Sequence, residues 1–267
     1  MLTIPFPAQA FGTNCYVIAD GPGEECIIVD PGIGIEETLR EVLTTHRLKP
    51  AAVLLTHGHV DHVFSVTPVC GGELAAYIHT DDRYRLVDPL GSSSLGPALS
   101  GMLEQQFGKK ATWREPERVV EVTDSETVSV AGIDLEVLHA PGHTEGSVMF
   151  SLDTVPDGLP DEVGVTSTLL SGDVLFSGSI GRTDLPGGSH DAMQRSLKNV
   201  VLPMPDDRLV LPGHGPGTTV AAERAAVAGR LDARATRYHV EREAWAWWKA
   251  EEAWMHAPRR PDAKRRP

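Results

Sequence analysis

Ala51-Ala52-Val53-Leu54-Leu55-Thr56 runs directly into His57-Gly58-His59-Val60-Asp61-His62, so an apolar stretch ends in four potential metal ligands within six residues. An apolar run without polar alternation is what a strand covered on both faces requires, and the loops at strand ends are where functional side chains collect. His57 and His59, two apart in an extended segment, project to the same side. The tighter turn at Asp61-His62 presents another pair to a second position, so the spacing invites two metal ions. A lone histidine in such a loop reads as a hydrogen-bonded turn residue; this density has no comparable structural use.

Working outward, three more candidates occupy similar places: His143 in PGHTEGS (141–147), Asp173 in SGDVLF (171–176) and His214 in LVLPGHGPG (209–217). Each follows a β-rich run and sits beside glycine. Nitrogen and carboxylate donors without thiolate suit Zn, Fe or Mn. Seven ligands shared between two ions leave coordination positions open, which suits catalysis better than a closed structural site.

The segments around these motifs read as alternating short elements. Strands are expected at 15–19, 26–30, 51–56, 74–79, 117–122, 127–130, 133–139, 147–152, 168–171 and 208–211, with Pro, Gly and Asp punctuation between them. A helix is expected at 36–46, with Leu39, Val42 and Leu43 on one face, and others at 190–201 and from about Thr219. Residues 88–114, rich in Gly, Ser and Pro around a short helix near Leu103, read as an insertion or lid over the substrate entrance.

The 267 residues have ordinary globular composition, 41% hydrophobic and 23% charged, and a net charge of −13. Such acidity disfavours broad nucleic-acid binding, and no stretch approaches the length of a membrane span. The beginning, MLTIPFPAQAF, is unlike a secretory signal, so a cytoplasmic location is expected. Cys15, Cys26 and Cys70 form no C-x-x-C pair and read as buried small apolar residues. Residues 227–267 stand apart from the 1–226 body, with 10 Lys/Arg against 6 Asp/Glu and four of the five tryptophans. Val240, Ala244, Trp247, Trp248 and Trp254 would share one side of a helix over 231–256, laid on the body or joining copies as a homo-oligomer.

THGHVDH with PGHTEGS, SGDVLF and PGHG downstream, in that order, resembles the metallo-β-lactamase superfamily. Within it, SGDVLFSGSIGRTDLPGGS followed by PGHGPGTT resembles the glyoxalase II-like thioesterases, the hydroxyacylglutathione hydrolases. The resemblance covers about residues 1–226 and implies an α/β fold of the αββα type: two mixed β-sheets flanked by helices, with the metals at one edge. It places His57, His59 and His143 on one divalent ion, most simply Zn²⁺ with Fe or Mn as options, and Asp61, His62 and His214 on a second, with Asp173 bridging. Asp61 is also expected to orient the attacking hydroxide, and Arg182, in GRTDLPGG, to bind an anionic thiol carrier.

That resemblance implies a binuclear hydrolase of a 2-hydroxyacyl thioester such as S-lactoylglutathione, in which a metal-bridging hydroxide attacks the carbonyl carbon and a thiolate leaves. A thiol pKa of about 8.5 makes that departure easy. The alternatives are a mononuclear iron persulfide dioxygenase, another superfamily hydrolase acting on a lactone, lactam or phosphodiester, and a non-catalytic metal-binding interaction module. The partner expected is a small-molecule thioester, with no nucleic acid and no membrane.

Overall fold

A computed structural model describes residues 1–92, 96–107 and 113–231. The first half of the chain builds one six-stranded sheet from β1 (Leu2–Pro7), β2 (Asn14–Ala19), β3 (Glu25–Val29), β4 (Lys49–Leu54), β5 (Ala75–His79) and β6 (Val119–Val122), in that spatial order. The pairs β1–β2 and β2–β3 are antiparallel, and the pairs β3–β4, β4–β5 and β5–β6 are parallel. The second half builds another mixed sheet from β7 (Thr127–Val130), β8 (Ile133–His139), β9 (Val148–Leu152), β10 (Ser167–Gly172), β13 (Arg208–Pro212) and β14 (Thr218–Thr219), in the order β14-β13-β10-β9-β8-β7. A small ribbon, β11 (Leu175–Phe176) with β12 (Ser179–Ile180), stands apart.

Between the sheets, Tyr16, Ile18, Ile27, Val29 and Leu54 of the first meet Val137, Val148, Phe150, Leu170 and Leu211 of the second. The outer face of the first sheet is covered by α1 (Glu36–His46), through Leu39 and Val42, and by α3 (Val66–Cys70). The outer face of the second is covered by α5 (His190–Ser196), which continues as a π-helical turn over Leu197–Val201, and by α6 (Val220–Leu231). The layers are thus helix, sheet, sheet, helix, the α/β sandwich expected from the sequence. Both sheets are apolar on two faces, which is why β2, β9 and β10 are buried at every position.

Two expectations change in detail. α6 runs through residue 226 to Leu231, with Val227 in the same core, so the boundary expected there falls inside a helix. β1 lies outside the strands expected from the sequence; the structure places it, with Pro5 and Pro7, at the sheet edge, where a missing N–H is tolerated. Inside 88–114 the expected short helix is α4 (Gly96–Phe107), whose Leu99 and Leu103 pack with Ala10, Ile33 and Val60. The helix expected over 231–256, with its tryptophans, lies beyond the described residues. All three cysteines are free and buried. Among the described residues no helix is long and apolar enough to cross a membrane.

Candidate metal centre

All seven ligand candidates meet at one end of the sandwich. The β4 strand ends at Leu54 and delivers His57 and His59 in extended backbone, after which α2 (Val60–Val63) turns Asp61 and His62 toward the same place. From the second sheet come His143 on the β8–β9 connection, Asp173 just after β10 and His214 just after β13. Most of the ligands therefore follow the carboxyl ends of β4, β10 and β13, the usual place for sites in parallel sheet regions.

The ligand atoms form two triangles. In the first, His57 Nε2 lies 3.1 Å from His59 Nδ1, which lies 2.8 Å from His143 Nε2. In the second, His214 Nε2 is 3.2 Å from Asp61 Oδ2 and 3.3 Å from His62 Nε2, and His62 Nε2 is 3.5 Å from the same Asp61 oxygen. Asp173 lies between: Oδ2 is 3.4 Å from His143 Nε2 and 3.6 Å from His214 Nε2, while Oδ1 is 3.5 Å from His62 Nε2. Four donors about 2.1 Å from a tetrahedral ion sit roughly 3.4 Å apart, so both triangles are close to the size an ion needs.

The outer contacts of the histidines fix their tautomers. Thr56 Oγ1 donates to Asp30 Oδ2 (2.6 Å) and so accepts from His57 Nδ1 (3.1 Å). His62 Nδ1 donates to Asp30 Oδ2 (2.9 Å), and His143 Nδ1 to the Arg182 carbonyl (2.8 Å). A neutral imidazole has one N–H. With that proton facing outward, the Nε2 atoms of His57 and His143 point into the centre, where the single Nδ1 of His59 stands between them and cannot donate fully to both, while Nε2 of His62 faces Asp61, Asp173 and His214. Asp173 Oδ1 is buried with no hydrogen-bond partner. Converging lone pairs and an orphaned carboxylate oxygen are what a cation corrects, so the residues present fit divalent metals.

Burial, aided by the neighbouring His62 and His143, pushes His57 well below the usual imidazole range, and burial with His143 pushes His59 down to about 2. Burial also acts to lower His62, but Asp61, Asp173 and Asp30 around it prevail and raise it to about 10. Burial would raise Asp61; the charge of His62 and the hydrogen bond from His214 hold it below the ordinary carboxylate range instead. Without metal, these carboxylates retain a proton on His62, and a cation there would take that proton's place.

Two positioning residues escaped the sequence reading. Asp30, with φ of 49°, accepts Thr56 N (2.8 Å) and Thr56 Oγ1 besides His62, and so orients two histidine ligands at once. Its signal was faint: an acidic residue before Pro31-Gly32 at the end of an apolar strand. Thr13 Oγ1 donates to Asp61 Oδ2 (3.0 Å), with no signal at all in the sequence. Beside it, Asn14 holds the His214 loop by donating to the Pro212 and Gly215 carbonyls. At Gly213 a side chain would strike Asp173 Oδ1 and His62, so the motif glycine is imposed by close approach.

Arg182 is placed differently from the ligands. Its carbonyl serves His143, while its guanidinium is exposed and makes a bidentate pair with Asp184, both contacts 2.7 Å. A further group, His79, Asp81 and His139, also lies together, but its two rings stack at 3.9 Å and 16°, so their in-plane lone pairs run side by side instead of converging.

The pattern of the metallo-β-lactamase superfamily matches residues 8–214. An uncharacterized protein of Mycobacterium tuberculosis is 43% identical over 226 residues, 84% of this chain and 95% of that protein. A hydroxyacylglutathione hydrolase of Haemophilus influenzae is 33% identical, covering 82% of this chain and 92% of its own. Among solved structures, the B3 metallo-β-lactamase BLEG-1 is 34% identical with a TM-score of 0.66 over 84% of this chain and 97% of that one. TTHA1623, solved in a di-iron-bound form, is 32% identical with a TM-score of 0.62 over 82% and 96%. A ligand set contributed in this order by two facing sheets, inside a match of that extent, makes this chain a member of the metallo-β-lactamase superfamily.

Proposed function

We propose that this chain is a binuclear metallohydrolase that cleaves a 2-hydroxyacyl thioester such as S-lactoylglutathione into a hydroxy acid and a thiol. The observation that carries the binuclear reading is the second triangle: Asp61, His62 and His214 bring their ligand atoms to 3.2–3.5 Å from one another, with Asp173 between the two sets. A mononuclear iron dioxygenase would leave that triangle idle. The thioester preference rests on the GRTDLPGG loop and on the likeness to the Haemophilus influenzae hydroxyacylglutathione hydrolase.

His57, His59 and His143 would hold one divalent ion, most simply Zn²⁺, and Asp61, His62 and His214 a second, with Asp173 available to both; such ions would supply an activated water and positive charge for the developing oxyanion. The chain's own residues do the rest. Thr13 holds the Asp61 carboxylate by one oxygen, so that carboxylate has a fixed direction from which to orient a nucleophile. Asp30 and the Arg182 carbonyl keep the imidazoles in the ligating tautomer through the whole cycle. Arg182 stands at the exposed rim, where its guanidinium exchanges Asp184 for a carboxylate of the thiol carrier. The thiolate departs without a strong acid, because a thiol pKa of about 8.5 already makes it a good leaving group.

The test is metal content of protein purified without chelator, together with thiol release from S-lactoylglutathione, hydrolysis of a β-lactam, and O₂ uptake on glutathione persulfide. Two ions per chain with thiol release support the proposal. One iron with O₂ consumption replaces it with the dioxygenase, and two ions with β-lactam cleavage alone replace its substrate.

A further inference from the structure

Asp82 and Arg85 lie in the 3₁₀ turn Thr80–Leu86 that follows β5, and both side chains are completely buried. In the sequence, HTDDRYRLV looks like a solvated charged turn. The structure instead turns these two inward against the metal loops. Asp82 Oδ2 accepts Gly58 N (2.7 Å) and Thr144 Oγ1 (2.7 Å); Oδ1 accepts Gly146 N (2.9 Å) and Arg85 Nε (3.2 Å). Gly58 separates His57 from His59, and Thr144 follows His143. One carboxylate thus grips both loops that carry the first ligand triangle. Arg85 braces it from outside, donating through Nη2 to Glu145 Oε2 (2.7 Å) and to the Pro186 carbonyl (2.9 Å).

Two motif glycines follow from this packing. A Cβ at Gly58 would come within 2.6 Å of Arg85 Cβ, and one at Gly146 within 2.5 Å of the Asp82 amide nitrogen. A buried ion pair is a costly way to join two loops, because desolvation offsets most of its attraction and an apolar pair of similar volume would stabilise as well. What the pair does supply is fixed geometry: a carboxylate with four directed donors leaves the distance between the two loops almost no freedom. The second triangle receives no hydrogen bond from either residue.

We propose that Asp82 and Arg85 are the positioning pair of the first metal position: they hold His57 and His59 at ligating distance from His143 and so set the affinity of that position and not of the second. The proposal rests on the two-position metal reading above and is independent of the substrate.

The experiment is Co²⁺ titration of the chelator-stripped full chain, followed by visible absorption and calorimetry. Asp82→Asn is made in two backgrounds: His214→Ala, which leaves the first position to report, and His143→Ala, which leaves the second. In the first background Co²⁺ affinity should fall about 10–100-fold, the usual cost of losing a ligand's support; in the second it should change less than about twofold. Arg85→Met, which keeps the bulk of the stem, should give the same pattern, and Thr144→Val, which deletes one hydrogen bond of the four, the same pattern in smaller measure. Circular dichroism of each stripped variant verifies folding, and Thr144→Val stands in if the charge variants do not fold. Equal weakening in both backgrounds, or none in the first, overturns the proposal. Binding of a single ion by the unaltered chain would instead overturn the two-position reading, and the His214→Ala comparison would still judge the pair.

Discussion

Asp30 bears on both candidate metal positions without belonging to either. It carries one hydrogen bond to His62 and two to Thr56, and Thr56 in turn fixes His57, so Asp30→Ala unlocks a ligand of each triangle. Both positions should lose about 10–100-fold in affinity, measured by competition with a chromophoric chelator. Arg182 is the opposite case, exposed and already paired with Asp184. Arg182→Ala should raise KM for an anionic thioester about threefold to tenfold and leave KM for a neutral one unchanged in steady-state assays; equal effects on both would remove Arg182 from the substrate site. Titration follows from the same residues. His59, pushed down to about 2, binds its proton more readily in the unfolded chain, so its contribution to stability is present above pH 6.5 and fades as pH falls from 6.5 toward 2. His62, raised to about 10, acts in the other direction: its contribution is whole below pH 6.5 and fades as pH rises toward 10. Metal-free protein should therefore be most stable near pH 6.5 in thermal melts across pH. Added metal should remove the alkaline loss, because the ion occupies the place of the His62 proton.

At the scale of elements, α4 packs directly on the loop that carries His59 and Asp61. Leu99 and Leu103 pack on Ala10, Ile33 and Val60, and Val60 lies between the ligands His59 and Asp61. Leu103→Ala should loosen this cover and change the ranking of kcat/KM among thioesters of different acyl size, while metal content stays constant; an unchanged ranking would deny α4 a part in substrate choice. The elements also show what the sequence could reveal. Buried strands such as β2, β3 and β10 were legible because continuous apolar runs stop sharply at Gly or Asp. β1 was hidden by its prolines, although Leu2, Ile4 and Phe6 alternate inward as a strand requires. The ligand motifs were legible because each is local, a few residues at one strand end. Thr13, Asp30, Asp82 and Arg85 were not, because each acts on a loop distant in sequence: Thr13 on Asp61, Asp30 on Thr56 and His62, Asp82 on Thr144, Arg85 on Pro186. Such pairings depend on sheet order, which no local pattern encodes.

Across the whole molecule, the ligands divide between the halves: His57, His59, Asp61 and His62 come from the first sheet, His143, Asp173 and His214 from the second. Neither half holds a complete set, so ions bound there would join the two sheets. The two positions are also unequally covered. His57 and His143 are nearly sealed, whereas His214 and Asp61 remain partly open at 30% and 19% side-chain exposure. Escape of the ions should therefore be asymmetric in time. A chelator can reach the outer ion directly, so its departure should accelerate with chelator concentration. The inner ion, with His57 and His143 buried and only His59 partly open, should leave more slowly and with a weaker dependence on chelator concentration.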